Sequence, residues 1–299
     1  MSPLCACPLA RQLAALLVLG AGAWAADAPQ AGYQFVKDHV QLYAYDLNQV
    51  VDWQSAGDTL SYSSSVSWRF SLTPVVVTSE RCELSIVILH VLATQSGPGG
   101  SHAVDSSQPV DRNGHEDLLL GHLLALDGAL LTVVVDPRSG AVSAVRGGEE
   151  VVKRINQRYP ARDDGEAPPL AASSAVAYGS DSLSRLWSDL LALPSGTVAP
   201  QQITLGGPLP GTIERRWQGS QYSLGLPAGT THLDGILMAD PTPLTASLSD
   251  LTGGGSVVMA QGLPGTRQGD LRFTLTLNAL TQPVIQHHHL TWIMRQLSR

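Results

Sequence analysis

The chain has 299 residues, of which 43% are hydrophobic and only 14% charged, with a formal net charge of −7. That balance belongs to a globular chain and excludes a disordered one. It also disfavours nucleic acid as a partner, because no concentrated Lys/Arg surface is available for phosphates. Phe, Trp and Tyr reach only 5%, so the core has to rest on Leu, Val, Ile and Ala.

The N-terminus, "MSPLCACPLARQLAALLVLGAGAWAADAPQ", reads as an export signal. Arg11 supplies the short positive region, and residues 13–19 form an apolar core too short for a bilayer, which takes about 20 residues. Ala23-Trp24-Ala25 is a small-x-small cleavage pattern, giving a signal segment of residues 1–25 and a mature start at Ala26. Cys5 and Cys7 precede the apolar core, which excludes them as lipidation sites. After cleavage Cys82 is the only cysteine, so no intramolecular disulfide is expected. No later stretch is apolar enough for a transmembrane span. The chain is expected to be exported, periplasmic or extracellular.

Residues 26–299 read as one α+β domain: strand-rich over 33–93, helix-containing over 115–194 and strand-rich over 197–299. In "TLSYSSSVSWRFSL", Leu60, Tyr62, Ser64, Val66, Trp68 and Phe70 alternate with Ser and Arg, the period of a half-buried strand. "CELSIVILHVLA" is a more continuously apolar strand, with Cys82 as a small core residue. "TQSGPGGSHAVDSSQPVDRNGHED" reads as a long surface loop. "EDLLLGHLLALDG" reads as helix. "LLTVVVDPRSGAVSAVRG" is a hairpin in which Pro137 sets a type I turn and Gly140 supplies the left-handed residue of a bulge.

"GEEVVKRINQRYP" is a helix with Glu149 and Glu150 in its first turn and Lys153, Arg154 and Arg158 later, complementing the helix dipole. In "SDSLSRLWSDLLALPSG", Leu183, Leu186, Trp187, Leu190 and Leu191 make one apolar stripe, with a Ser or Asp cap before Leu183. Short strands follow, closing with "DLRFTLTLNAL" and the histidine stretch "QPVIQHHHLTWIM". The order strands–helices–strands indicates a curved, half-barrel-like antiparallel sheet with the middle helices packed on one face.

Gly57-Asp58 with Tyr62, then Asp136, Gly140 and Val142, then "QGDLRFTL", together resemble a family of exported, planctomycete-like bacterial proteins of unknown function. The strand–helix–strand order is also similar to periplasmic lipoprotein carriers, whose half-barrels hold acyl chains. These resemblances imply an exported binding protein, and the second implies an apolar ligand.

Motifs with chemistry are sparse. His115 and His122 in "HEDLLLGH" lie seven apart, about 10 Å along a helix at 1.5 Å per residue, too far to share one zinc with bonds of about 2 Å. Asp105, Asp111, Asn113, Glu116 and Asp117 lack calcium-loop spacing and read as solvated turn residues. "TGGGS" and "GPGGS" read as flexible turns. In the run His287-His288-His289, a strand places His287 and His289 on one face and His288 on the other. Three neighbours therefore cannot form one zinc site, and the stretch reads as the last strand of the sheet.

The pattern assigns no catalytic residue, no metal ligand and no cofactor. It points to an exported, non-enzymatic binding or cell-envelope structural module, whose partner is an apolar ligand or an envelope component. The alternatives are a carrier of a lipid or other apolar ligand, and a hydrolase whose site assembles only in space. The export expectation has a direct check: N-terminal sequencing of the extracytoplasmic protein should begin at Ala26. An intact Met1 there would refute the cleavage assignment.

Overall fold

The computed structural model describes residues 19–21, 32–55, 57–108, 120–158, 177–194, 200–205, 211–239, 242–279 and 282–298. Long strands that reverse through two-residue turns dominate. They are β1 (Leu19–Ala21), β2 (Gln41–Ser55), β3 (Asp58–Val77), β4 (Cys82–Gly97), β5 (Gly100–Asp105), β6 (Leu130–Val135) and β7 (Val142–Arg146). After the helices come β8 (Gln201–Leu205), β9 (Gly211–Gln218), β10 (Gln221–Gly225), β11 (His232–Ala239), β12 (Thr242–Ala260), β13 (Leu263–Ala279) and β14 (Gln282–Gln296). All join one antiparallel sheet in the order β1-β8-β9-β10-β12-β13-β14-β2-β3-β4-β6-β7, with β11 on β12 and β5 on β4. The path is open, and the last strand, β14, pairs with the early strand β2. A short 3-10 helix (Gly121–Leu126), α1 (Gly148–Arg158) and α2 (Ser180–Leu191) complete the described elements. The α+β class and the curved sheet thus agree with the sequence pattern.

Period-two alternation separates the faces. On β3 the inward Trp68, Phe70 and Leu72 are buried, while Arg69 between them is exposed. The outward serines of β3 hydrogen-bond laterally: Ser65 Oγ lies 2.7 Å from Thr94 Oγ1, and Ser67 donates to Asp46 Oδ1 at 2.6 Å. Lipid-facing barrel strands carry apolar residues outside and polar ones inside; β3 does the reverse. Among the described residues no helix is long and apolar enough to cross a membrane.

The stripe predicted for α2 is the one buried: Leu183, Leu186, Trp187, Leu190 and Leu191. Trp187 meets the Phe70 ring edge-on at 5.5 Å. The first turn differs from expectation, because the cap position is Gly179 and no side chain bonds there. At the other end the orphan carbonyls find partners elsewhere in the fold. Arg267 of β13 donates to the Asp189 and Ala192 carbonyls, and Tyr33 Oη donates to Leu191 O at 2.8 Å. The hairpin after β6 docks on the same helix end, where Leu193 N donates to Ser139 O at 3.0 Å. Gly140, with φ +72°, sits so close that a Cβ would lie 1.9 Å from Leu191 O. The glycine is needed both for the left-handed turn and for this approach.

Asp189 of α2 also pairs with Arg215 of β9. Two buried arginines thus meet Asp189, Arg215 at its half-buried carboxylate and Arg267 at its carbonyl. Arg267 spends its donors on carbonyls, and Arg215 packs 4.7 Å from the Tyr222 ring and 5.7 Å from Trp217. Those π faces add a favourable contact to the paired Arg215 guanidinium. Burial pushes the Arg267 pKa down, and Tyr33 and Asp189 are among the groups that oppose it.

Two expectations are corrected. "TGGGS" is no turn: Gly253, Gly254 and Gly255 lie inside β12. A Cβ at Gly255 would strike the Tyr222 hydroxyl at 2.5 Å, and one at Gly269 the Trp292 ring at 2.3 Å. Missing side chains here let aromatic rings lie flat on the sheet. The loop expected after residue 93 is also shorter, because β4 runs to Gly97 and returns as β5, with "GPGGS" as the turn. The acidic stretch Asp111, Asn113, Glu116 and Asp117, together with His115, lies outside the described residues, as do residues 1–18 and 22–25 of the segment expected to be an export signal.

Because Trp187 is fully buried at the centre of this interface, Trp187→Ala should cost about 3–5 kcal/mol. Chemical denaturation followed by circular dichroism measures it; an unchanged midpoint would show that α2 does not stabilise the sheet.

Candidate functional site

The contacts of α2 with Phe70, Arg267 and Arg215 leave the β2–β3 hairpin end of the inner face. There the register aligns Gln286 with Trp53 and Leu60, and His288 with Val51 and Tyr62. The rings of Trp53 and Tyr62 lie 5.7 Å apart at 55°. Both are half-buried, as are Leu47, Val51, Val66 and Val284, and Leu60 is 41% exposed. Gly97 makes room: a Cβ there would lie 2.6 Å from the Tyr62 ring. The strip is apolar and aromatic, and partly open on the face that elsewhere is closed core.

A polar line crosses it. His288 is 4% exposed and stacks on Phe273 at 4.5 Å and 9°. Gln49 Nε2 lies 3.2 Å from His288 Nδ1, and His288 Nε2 lies 3.0 Å from Gln286 Oε1. The consistent arrangement is donation from Gln49 to Nδ1 and from Nε2–H to Gln286 Oε1, with the imidazole neutral. Burial, and secondarily the nearby His287, pushes the His288 pKa down to about 4. Gln286 is fully buried and its Nε2 has no hydrogen-bond partner.

The histidine run is therefore divided as the alternation requires. His288 points inward, and His287 outward, 3.2 Å from Thr274 Oγ1. Which side His288 takes was readable from its parity with the apolar Leu290, Trp292 and Met294. Its partners Gln49 and Gln286 were not, since they depend on the β14–β2 pairing. Among the described residues no group of three or more His, Cys, Asp or Glu could hold a metal ion.

Other reactive side chains are placed apart. Asp105 accepts from His90 Nε2 at 2.8 Å, from Ser107 Oγ at 2.7 Å and from Ser107 N at 2.8 Å. The Ser107 bonds, then His90, hold its carboxyl down at about 2. Ser107 supports the carboxylate and is not activated by His90, so the three do not form a nucleophile–base relay. Cys82 is buried in β4, and burial pushes its thiol pKa up, the opposite of an activated cysteine. His122 sits in the 3-10 helix, its ring 6.3 Å from that of Tyr178. Two open surface grooves, of about 440 and 340 Å³, lie elsewhere. One flanks the β6–β7 hairpin between Arg81 and Arg146, and the other lies by His39 and Gln296. Neither includes the inner-face strip.

No family model matches the chain, and no curated protein matches it. The family resemblance drawn from short motifs therefore has no further support. Among solved structures, one of lipid–protein interactions in lipovitellin is 10% identical, with a TM-score of 0.42, covering 89% of this chain and 26% of that one. The chain thus spans about a quarter of the lipovitellin chain. An outer membrane channel from Pseudomonas putida F1 is 9% identical over 91% of this chain and 100% of its own, with a TM-score of 0.25. DynF of the dynemicin biosynthesis pathway of Micromonospora chersina is 9% identical over 94% of this chain and 90% of its own, at 0.22. Likeness at this level assigns no function.

His288 imposes a pH dependence. Between about 4 and the ordinary 6.5 the unfolded chain binds a proton that the folded chain refuses. Stability should fall as pH drops through that window, by about 3 kcal/mol in all. Denaturation midpoints from pH 7 to pH 4 measure the slope, which His288→Gln should flatten; equal slopes would show that His288 is not held neutral.

Proposed function

We propose that this protein is an exported, non-enzymatic binding protein whose inner sheet face takes a ligand with a long apolar chain. One observation carries the reading. The strip of Val51, Trp53, Leu60, Tyr62 and Val66 stays partly open on the face that forms the core elsewhere. Apolar exposure on the inner face of the sheet suits an apolar ligand better than an aqueous substrate. The reactive side chains that are described support no acyl-transfer or metal-dependent chemistry.

Export fits the same picture. Leu19–Ala21 pairs with β8 in the full chain. Removal of residues 1–25 would take β1 away and leave β8 as an edge, without touching β2, β3 or β14. The mature protein therefore keeps the strip intact.

The test is binding by the mature chain. Native mass spectrometry of protein purified from the extracytoplasmic fraction should find a long-chain ligand. Titration of ligand-free protein with 1-octadecene delivered from cyclodextrin should quench tryptophan fluorescence saturably. Trp53→Ala should weaken binding about ten-fold, the equivalent of roughly 1.4 kcal/mol of lost apolar contact. Absence of saturable binding would overturn the reading.

A further inference from the structure

The polar line through the strip selects what the head of the ligand must be; this rests on the binding reading above. Hydrogen-bond direction runs one way along it. The Gln49 amide donates to His288 Nδ1, so the ring proton sits on Nε2 and the Gln286 amide must present its oxygen to that proton. Its NH2 group is thereby turned to the other side. That group is buried and without an acceptor, an arrangement that is destabilising unless something fills it. The Phe273 stack and the two amides fix the imidazole, so the Gln286 amide cannot reverse without breaking its bond to His288.

The position of the orphan donor is informative. Gln286 is opposite Trp53 on β2 and Leu275 on β13. It therefore stands beside the aromatic pair that lines the strip. An amide NH2 there calls for an oxygen acceptor at one end of an otherwise apolar ligand. Gln49 and Gln286 are uncharged, and His288 is held neutral, so the line offers no cation. A carboxylate or phosphate head would be buried without a counter-charge, which is unfavourable. An uncharged ester or hydroxyl oxygen makes the bond without that penalty.

We propose that Gln286 Nε2 donates to an uncharged oxygen head of a neutral, ester-type lipid, whose chain lies along Trp53, Tyr62 and Val51. Gln49 and His288 act as positioning residues that aim the amide.

The experiment compares monoolein, oleate and 1-octadecene on the mature chain, each delivered from cyclodextrin and followed by tryptophan fluorescence. Wild type should bind monoolein about ten-fold tighter than oleate or octadecene, the value of one well-made buried hydrogen bond. Two variants keep the outcome readable. Gln286→Glu retains an oxygen for His288 but replaces the NH2 donor. The pair Gln286→Leu with His288→Phe makes the line apolar and can stack on Phe273. Both should lose the preference for monoolein, while octadecene binding to the paired variant stays within about two-fold of wild type. Circular dichroism verifies that each variant folds. Octadecene bound with monoolein no tighter, or a monoolein preference surviving in the folded variants, overturns the head assignment alone. Tighter binding of oleate than of monoolein overturns it too. Failure of all three ligands overturns the binding reading with it. A crystal structure with monoolein bound and only a water on Gln286 Nε2 would likewise refute the proposal.

Discussion

The seating of the C-terminal end of α2 on the sheet is the constraint on which the rest of the architecture depends. A helix end exposes carbonyls that must be satisfied if buried, and here the partners come from across the molecule: Arg267 on β13, Tyr33 before β2 and the hairpin turn at Ser139 and Gly140. These groups are up to 158 residues from the helix end in sequence. Hydrogen bonds from a charged donor contribute roughly 1.5–3 kcal/mol each. Their larger effect is geometric, because they allow one placement of α2 against the inner face. The apolar stripe through Trp187 supplies the bulk of the burial, and the arginines determine where that burial occurs.

That placement also divides the inner face. At the Phe70 and Arg267 rows the helix completes a closed core. Beyond them, towards the β2–β3 hairpin, the strands continue for several residues while α2 does not follow. Trp53, Tyr62 and Leu60 there stay partly open.

Glycine use shows the same economy. Gly97, Gly255 and Gly269 each lie where an aromatic ring crosses the sheet: Tyr62, Tyr222 and Trp292. A Cβ at any of these three positions would run into the ring. Arg215, paired with Asp189, packs against the faces of Tyr222 and Trp217.

Much of this was legible in the chain because it is local. Alternation in "SYSSSVSWRF", the Pro137–Gly140 turn and the stripe from Leu183 to Leu191 each report a period or a turn geometry set within a few residues. So did the opposite facing of His288 and its two neighbours. The strand character of "TGGGS" was not legible, since glycine alone favours turns and only the rings lying on it explain its place in β12. Nor was the role of Arg267, Asp189, Gln49 or Gln286, because each is a polar residue whose meaning is its partner. Sequence by itself determined the strands and helices that carry a clear hydrophobic period, since that choice is made by short-range sterics and burial. Tertiary structure alone decided which polar groups meet in the interior and which donors, Gln286 Nε2 among them, are left over, since Gln49 and His288, 239 residues apart, meet only when β14 pairs with β2.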